Sequence, residues 1–222
     1  MRYTAKRHYQ WSPEIAYSVG LIASDGCLQS DGRHISLTSV DMEQLENFSF
    51  AIGRKLPISP NKNKSNVDAY RIQFSDVAFY DFLTSIGVTP RKSLTIGQLN
   101  IPNKYYPHFL RGLFDGDGST NAYFDKRWKN SYMYYISFGS ASANFLQYIS
   151  SNNMRLFGVN GKSINKTTRA YKLSYAKKDS YILYKNIYKG SGIFYLPRKR
   201  LKLEGFIKQN GDAIILDNAR VP

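Results

Sequence analysis

The chain switches between two hydrophobic periods, and it runs through the same switch twice. From residue 13 the apolar positions recur at helical spacing through Tyr17, Leu21 and Ile22 as far as Asp25. Ser12-Pro13-Glu14 supplies an N-cap, a proline in the first helical position and an acid in the first turn. Gly26 is expected to stop this helix in a left-handed cap. A period of two follows, with Ile35, Leu37 and Val40 on one face and His34, Ser36 and Thr38 on the other. A helix is expected over 41–53 and a less regular strand near 55–62. The next strand turns Tyr70, Ile72 and Phe74 inward and Arg71, Gln73 and Ser75 outward, and a helix over 76–87 closes the unit.

The second run opens at Pro107 and ends its first helix at Gly118. Residues 17–26 (YSVGLIASDG) match 109–118 (FLRGLFDGDG) at Gly20 and Gly112, Leu21 and Leu113, Asp25 and Asp117, Gly26 and Gly118. Residues 34–53 resemble 135–158, residues 69–87 resemble 170–190, and PRKSL (90–94) matches PRKRL (197–201). In the second copy Tyr171, Leu173 and Tyr175 point inward and Lys172 and Ser174 outward. Four matches in one order describe a tandem duplication. The fold class is therefore α+β, in two halves at 1–100 and 101–222. Each half is a helix–strand–strand–helix–strand–strand–helix unit whose antiparallel sheet packs on helices, and residues 95–106 link them.

Composition narrows the partners. Apolar residues make up 42% of the 222, enough to bury a core, and no apolar run is long enough to span a bilayer. The first ten residues carry charge with no apolar stretch behind them, so no signal peptide is read. Cys27 is the single cysteine and there are three histidines, which excludes an internal disulfide and a Cys- or His-built zinc centre and points to a reducing, intracellular setting. The net charge of +15, with 18 tyrosines, implies a polyanionic partner; no basic amphipathic helix argues for a membrane surface instead.

Both copies place an aspartate at the C-terminal end of a helix, where the backbone already carries partial negative charge. Asp25 and Asp117 thus concentrate charge that a divalent cation would offset, and a hard cation such as Mg²⁺ takes oxygen ligands. The same helices carry small residues four apart: Ala16, Gly20 and Ser24 in one, Gly112 and Gly116 in the other. Packed along these stripes, the helices would bring Asp25 beside Asp117. Two carboxylates so close raise one pKa unless a cation lies between them, so the spacing favours metal over a protonated dyad.

GLIASDG and LRGLFDGDG resemble the LAGLIDADG motif, here twice in one chain, and the flanking repeats are similar to that family's αββαββα unit over nearly the whole chain. The first copy departs from the motif at Ser18, Ala23 and Ser24 but keeps Asp25. The resemblance implies a single-chain homing endonuclease, in which the two motif helices form a pseudo-twofold interface and the last acid of each motif, Asp25 and Asp117, binds the catalytic metal. The carbonyls of Ser24, Gly26, Gly116 or Gly118 are open alternatives as further ligands. Asp115, at the motif's earlier acidic position, is read as structural. The family also implies a basic residue near each scissile phosphate, which falls on Lys92 and Lys199, flanked by Arg91 and Arg198.

Two twisted sheets related by a pseudo-dyad would form a saddle over double-stranded DNA. Arg33, His34, Ser36, Thr38, Arg71, Gln73, Asn121, Tyr123, Ser137, Lys172 and Ser174 are the candidates to read base edges, Arg suiting guanine and Gln or Asn suiting adenine. Lys62, Lys64, Arg127, Lys129, Lys162, Lys166 and Arg169 are the candidates to neutralise phosphates. The expected function is Mg²⁺-dependent cleavage of a long asymmetric site by a monomer, with Mn²⁺ or Ca²⁺ able to substitute for binding. The chain ends in Ala-Arg-Val-Pro without a terminal His-Asn, so an intron reading frame is expected over an intein. The same fold without cutting, as an RNA-binding intron maturase or a DNA-binding regulator, is the second reading, and a structural basic protein is the third.

Overall fold

A computed structural model describes residues 8–62, 68–127, 131–161 and 164–211. Helix α1 (Pro13–Asp25) starts at an extended Ser12 whose Oγ accepts a hydrogen bond from Ile15 N at 3.1 Å. Its end corrects the sequence reading. Gly26 is not left-handed; at φ −79° and ψ 158° it passes straight into strand β1 (Gly26–Leu28). Gly118 does the same at φ −72° and ψ 146°, after the motif helix of the second half. Space explains the glycines better than φ does. A Cβ on Gly26 would lie 2.6 Å from Ile22 Cα, and one on Gly118 2.3 Å from the Phe114 carbonyl oxygen.

Strand β2 (His34–Ser39), helix α2 (Met42–Ala51), strands β3 (Ile58–Lys62) and β4 (Asp68–Ser75), helix α3 (Val77–Ser85) and the four-residue helix α4 (Lys92–Thr95) complete the first half. The second half repeats it: α5 (Tyr106–Asp117), β5 (Gly118–Phe124), β6 (Tyr132–Ser140), α6 (Ala143–Phe157), β7 (Asn165–Lys166), β8 (Tyr171–Ala176), α7 (Lys177–Ile187) and α8 (Pro197–Gln209). The two sheets are antiparallel, in the orders β1-β2-β4-β3 and β5-β6-β8-β7. Their registers agree, with Gly26 opposite Leu37 and Gly118 opposite Phe138. Between the halves, residues 96–102 carry no regular structure and Asn103–Tyr105 form one 3-10 turn. Val40 departs from the expected inward alternation. Strand β2 stops at Ser39, the chain bends into the Asp41 cap of α2, and Val40 is left exposed.

One continuous apolar core joins the halves, because α1 packs on α5 along their small residues. A Cβ on Gly112 would lie 2.1 Å from the Tyr17 carbonyl oxygen and 3.2 Å from Gly20 Cα; one on Gly20 would lie 2.2 Å from the Phe109 carbonyl oxygen. The two backbones therefore touch at this crossing.

A polar network extends the seam. Tyr17 Oη donates to Asp115 Oδ2 at 2.9 Å, and the same oxygen accepts from Leu196 N at 2.9 Å, at the start of α8. Arg111 donates to the carbonyls of Phe194 and Ile187, both at 2.7 Å, and contacts His108 Nδ1 at 3.0 Å. Burial pushes Asp115 up to about 7, and burial together with the Arg111 charge holds His108 down at about 4. The two act in opposite senses on stability. His108 stays neutral when folded, so its contribution is complete above its unfolded pKa and is lost as pH falls toward 4. Asp115 is protonated more readily in the folded chain and favours folding as pH falls below 7. The variant His108→Gln should therefore gain about 1–2 kcal/mol relative to wild type between pH 7 and pH 4, after discounting for the partial exposure of the ring. Urea midpoints at the two pH values check this, and an unchanged difference refutes it.

Candidate active site at the helix seam

The C-terminal ends of α1 and α5 meet at the same end of the crossing. Gly116 has no room for a side chain: a Cβ there would lie 1.9 Å from Ser24 Oγ and 2.7 Å from Asp25 Oδ2. This close approach sets Asp25 beside the last turn of α5, where Asp117 is the final residue. The environments of the two acids differ. Asp25 is half-buried, whereas Asp117 opens to solvent on one side and is crowded by protein on the other. Burial, and then the Asp117 charge, raise Asp25 to about 6, against the Gln44 hydrogen bond and the Lys199 and Lys92 charges. Loss of hydration also raises Asp117, and the charges of Lys92 and Lys199 oppose it.

The two lysines of the repeated Pro-Arg-Lys triplet are both buried. Lys92 Nζ donates to the Ser24 carbonyl at 3.1 Å. Lys199 Nζ donates to the carbonyls of Phe114, Gly116 and Gly118 at 2.8, 2.6 and 2.8 Å. Each lysine thus closes the C-terminal end of the motif helix in its own half, where orphan carbonyls and the helix dipole favour a cation. Burial lowers both amines, Lys199 to about 8. The flanking arginines diverge: Arg91 takes a left-handed conformation at φ 57° and is exposed, while Arg198 forms an ion pair with Asp41 of the first half.

Unequal bonding makes the two lysines unequal in stability. Lys199→Met removes three hydrogen bonds to carbonyls and should cost about 2–4 kcal/mol, and Lys92→Met, which removes one, should cost about half as much. Chemical denaturation orders the two; a Lys92 variant as damaging as the Lys199 variant contradicts this account.

Several candidate DNA-reading side chains lie on matched strand positions. Ser36 is opposite Gln73 and Thr38 opposite Arg71 in one sheet; in the other, Asn121 is opposite Tyr135, and Ser137 opposite Ser174. Gln73, Asn121 and Tyr123 are exposed, and Thr38, Arg71, Lys172 and Ser174 partly so. Ser36 and Ser137 are on the outward face by parity yet buried, because small side chains at the sheet centre are covered by larger neighbours. Ser137 Oγ is bonded to Ser174 Oγ at 2.9 Å. Tyr123 stacks on Tyr135 with ring centroids 5.8 Å apart. Three basic candidates already face acids: Arg33 and His34 contact Asp31, and Arg127 grips Asp125 through two nitrogens. Lys166 and Arg169 are exposed around the β7–β8 turn. Lys64, Lys129, Lys162 and the side chain of Lys62 lie outside the described residues.

Sequence reasoning missed Gln44. This buried residue of α2 donates from Nε2 to Asp25 Oδ2 at 3.0 Å, while its Oε1 accepts from Ser39 Oγ at 2.7 Å. Its signal was an amide at a core-facing position, beside the buried Leu45 and Phe48, in an otherwise amphipathic helix.

A duplicated α+β protein with paired acids and paired lysines at a central helix seam is the class that fold and site define. The family model for the LAGLIDADG-like domain matches residues 105–189, within the second half. The whole chain has the two-half fold of single-chain LAGLIDADG homing endonucleases. It is similar to the homing endonuclease I-WcaI bound to its DNA recognition sequence, at TM-score 0.62 and 15% identity over 87% of this chain and 88% of that one. Meganuclease I-SmaMI bound to uncleavable DNA matches at TM-score 0.59 and 14% identity over 90% and 89%. Full-length DUF199/WhiA from Thermatoga maritima matches at TM-score 0.58 and 17% identity, over 94% of this chain and 64% of that one. No curated protein sequence matches the chain.

Proposed function

We propose that the protein is a site-specific double-strand DNA endonuclease that hydrolyses phosphodiester bonds with a divalent cation, Mg²⁺ being the physiological choice. The observation that carries this reading is the meeting of the C-terminal ends of α1 and α5, where a Cβ on Gly116 would lie 2.7 Å from Asp25 Oδ2 and the Asp117 charge acts on Asp25. The donor set suits a hard cation. Both acids are raised by lost hydration, and a cation between them would relieve the cost of ionising both. Among the described residues no group of three or more His, Cys, Asp or Glu side chains stands ready for a metal. Carbonyl, water and DNA phosphate oxygens would therefore complete the shell, and the carbonyls of Ser24, Gly116 and Gly118 are already engaged by lysines. When bound, the cation supplies the polarised water and charge stabilisation that phosphodiester hydrolysis needs.

The chain's own residues hold and orient. Asp25 and Asp117 fix the reacting centre to the rigid seam. Lys92 and Lys199 brace the carbonyls around it and put positive charge where phosphate charge develops. The outward faces of the sheets read the flanking sequence, Arg71 and Gln73 in one half and Asn121, Tyr123 and Lys172 in the other. I-WcaI and I-SmaMI, which share the fold, are described in complex with DNA, and I-DmoI in complex with DNA and Mn. Because the two reading faces differ, the target is asymmetric, and because both acids lie in one chain, the active species is a monomer. No helix among the described residues is long and apolar enough to cross a membrane. Intron encoding fits the same reading.

A second reading has an observation in its favour. Two lysines beside two acids balance the site's charge without metal, as suits a DNA-binding protein of this fold that does not cut. Selection of cleaved sites from a random-sequence DNA library decides between them. The endonuclease reading expects one long motif enriched with Mg²⁺ and none with EDTA; a bound motif that is never cut supports the second.

A further inference from the structure

The two halves present their acids differently, and the difference lies in one side chain. Leu37 and Phe138 are the strand residues opposite Gly26 and Gly118, so they mark equivalent positions. Counting from them, the caps Asp41 and Ser142 correspond, and so do Gln44 and Phe145. Ser39 and Ser140 correspond too, and both turns are alike: Ser39 Oγ accepts from Asp41 N at 3.0 Å and Ser140 Oγ from Ser142 N at 3.1 Å.

Beyond that turn the likeness ends. In the first half Ser39 Oγ donates to Gln44 Oε1, and this orients the amide so that Nε2 faces Asp25. In the second half the same place is filled by Phe145, buried and stacked on Tyr148 with centroids 6.2 Å apart. Asp117 consequently accepts no side-chain hydrogen bond among the described residues, and it is the more solvent-open acid. The lysines lean the other way, one carbonyl for Lys92 and three for Lys199.

We infer that Gln44 is a positioning residue that locks Asp25 in one orientation while Asp117 stays free, so that the two DNA strands are cut by inequivalent centres at different rates. This rests on the endonuclease reading. The Ser39–Gln44–Asp25 chain fixes the direction of Oδ2 and leaves Oδ1 for the reacting centre. A buried amide held at both ends rotates little, because turning it over would set its Oε1 against Asp25 Oδ2, two acceptor oxygens facing each other. Asp117 has to be ordered anew each time DNA binds, which slows its strand.

The test uses a plasmid carrying a site recovered from the library, with each strand labelled differently, under single-turnover conditions in Mg²⁺. Wild type should show unequal strand rates and a transient nicked species. Gln44→Leu keeps the volume but loses the amide; it should slow one strand by on the order of tenfold or more and leave the other within about threefold. Gln44→Glu, which turns a carboxylate toward Asp25, should affect the same strand. Binding in Ca²⁺ and thermal melts should stay near wild type for Gln44→Leu, which separates positioning from folding. A readout independent of cutting is the Gln44 side-chain amide in ¹⁵N-glutamine-labelled protein: its resonances should be protected from exchange and should move on Asp25→Asn. Equal slowing of both strands, no slowing, or an unprotected amide overturns the inference while wild-type cutting upholds the endonuclease. Absence of wild-type cutting overturns both.

Discussion

Asp25→Asn and Asp117→Asn should each abolish double-strand cleavage, by on the order of 10³-fold or more, while DNA binding measured in Ca²⁺ stays within a few-fold of wild type. The reasoning is local. Asparagine keeps the volume and one oxygen of the acid but loses the charge that would hold a cation against the phosphate. The same change should not harm folding. Asp25 has its pKa raised to about 6 when folded, above the unfolded range, so the fold loses stability as the pH rises from the unfolded carboxylate range to 6, and above 6 the cost is complete. At pH 7.5 the Asp25→Asn protein should therefore be as stable as wild type or more so, by up to about 2 kcal/mol. An acid that lowers stability where it stands is best explained by what it does there. A variant that cuts normally, or that loses binding along with cutting, contradicts this assignment.

Gly112→Val should be the most damaging substitution for the fold. The added Cβ meets the Tyr17 carbonyl oxygen at 2.1 Å and approaches Gly20 Cα at 3.2 Å, and these are backbone atoms that cannot rotate aside. Relief requires the helices to part, which opens the core on both sides of the seam and separates Asp25 from the end of α5. A loss of about 3–5 kcal/mol follows, a large fraction of the stability of an ordinary domain. Gly205→Ala is the control. Nothing lies within 4 Å of a Cβ there, the position is inside α8, and replacing glycine in a helix should add up to about 1 kcal/mol. Denaturation midpoints moving in opposite directions would confirm the contrast; a mild Gly112→Val would mean that α1 and α5 do not cross this closely in solution.

Much of the architecture was legible because repetition doubles every signal. The first-turn proline Pro13, the alternation through Ile35 and Leu37, and the inward Ile72 and Phe74 are each weak alone, yet their counterparts recur in order in the second half. Failures came where period and parity stop being informative. Val40 lies one residue past the end of a strand. Ser36 and Ser137 obey the parity of an outward face, but parity does not report the size of the neighbours that cover them. Gly26 carries the commonest reason for a helix-ending glycine in the sequence reading, a left-handed cap, whereas the structure requires it, like Gly118, for space against the preceding turn.

The acids and lysines could be nominated from the sequence, since a repeated motif with the same charged residue twice is hard to explain by solvation. Their partners could not. That Lys199 spans three carbonyls and Lys92 one, and that Gln44 reaches Asp25 while Phe145 turns into the core, are relations between elements remote in the chain. The duplicated order of elements, the fold class and the basic character are written locally, in periodicity and composition, where each residue contributes through its own type. Inequivalence between the halves is decided only when the helices have crossed, because it depends on which atoms a crossing at backbone contact brings within hydrogen-bonding range, and ångström-scale distances between segments are set by packing.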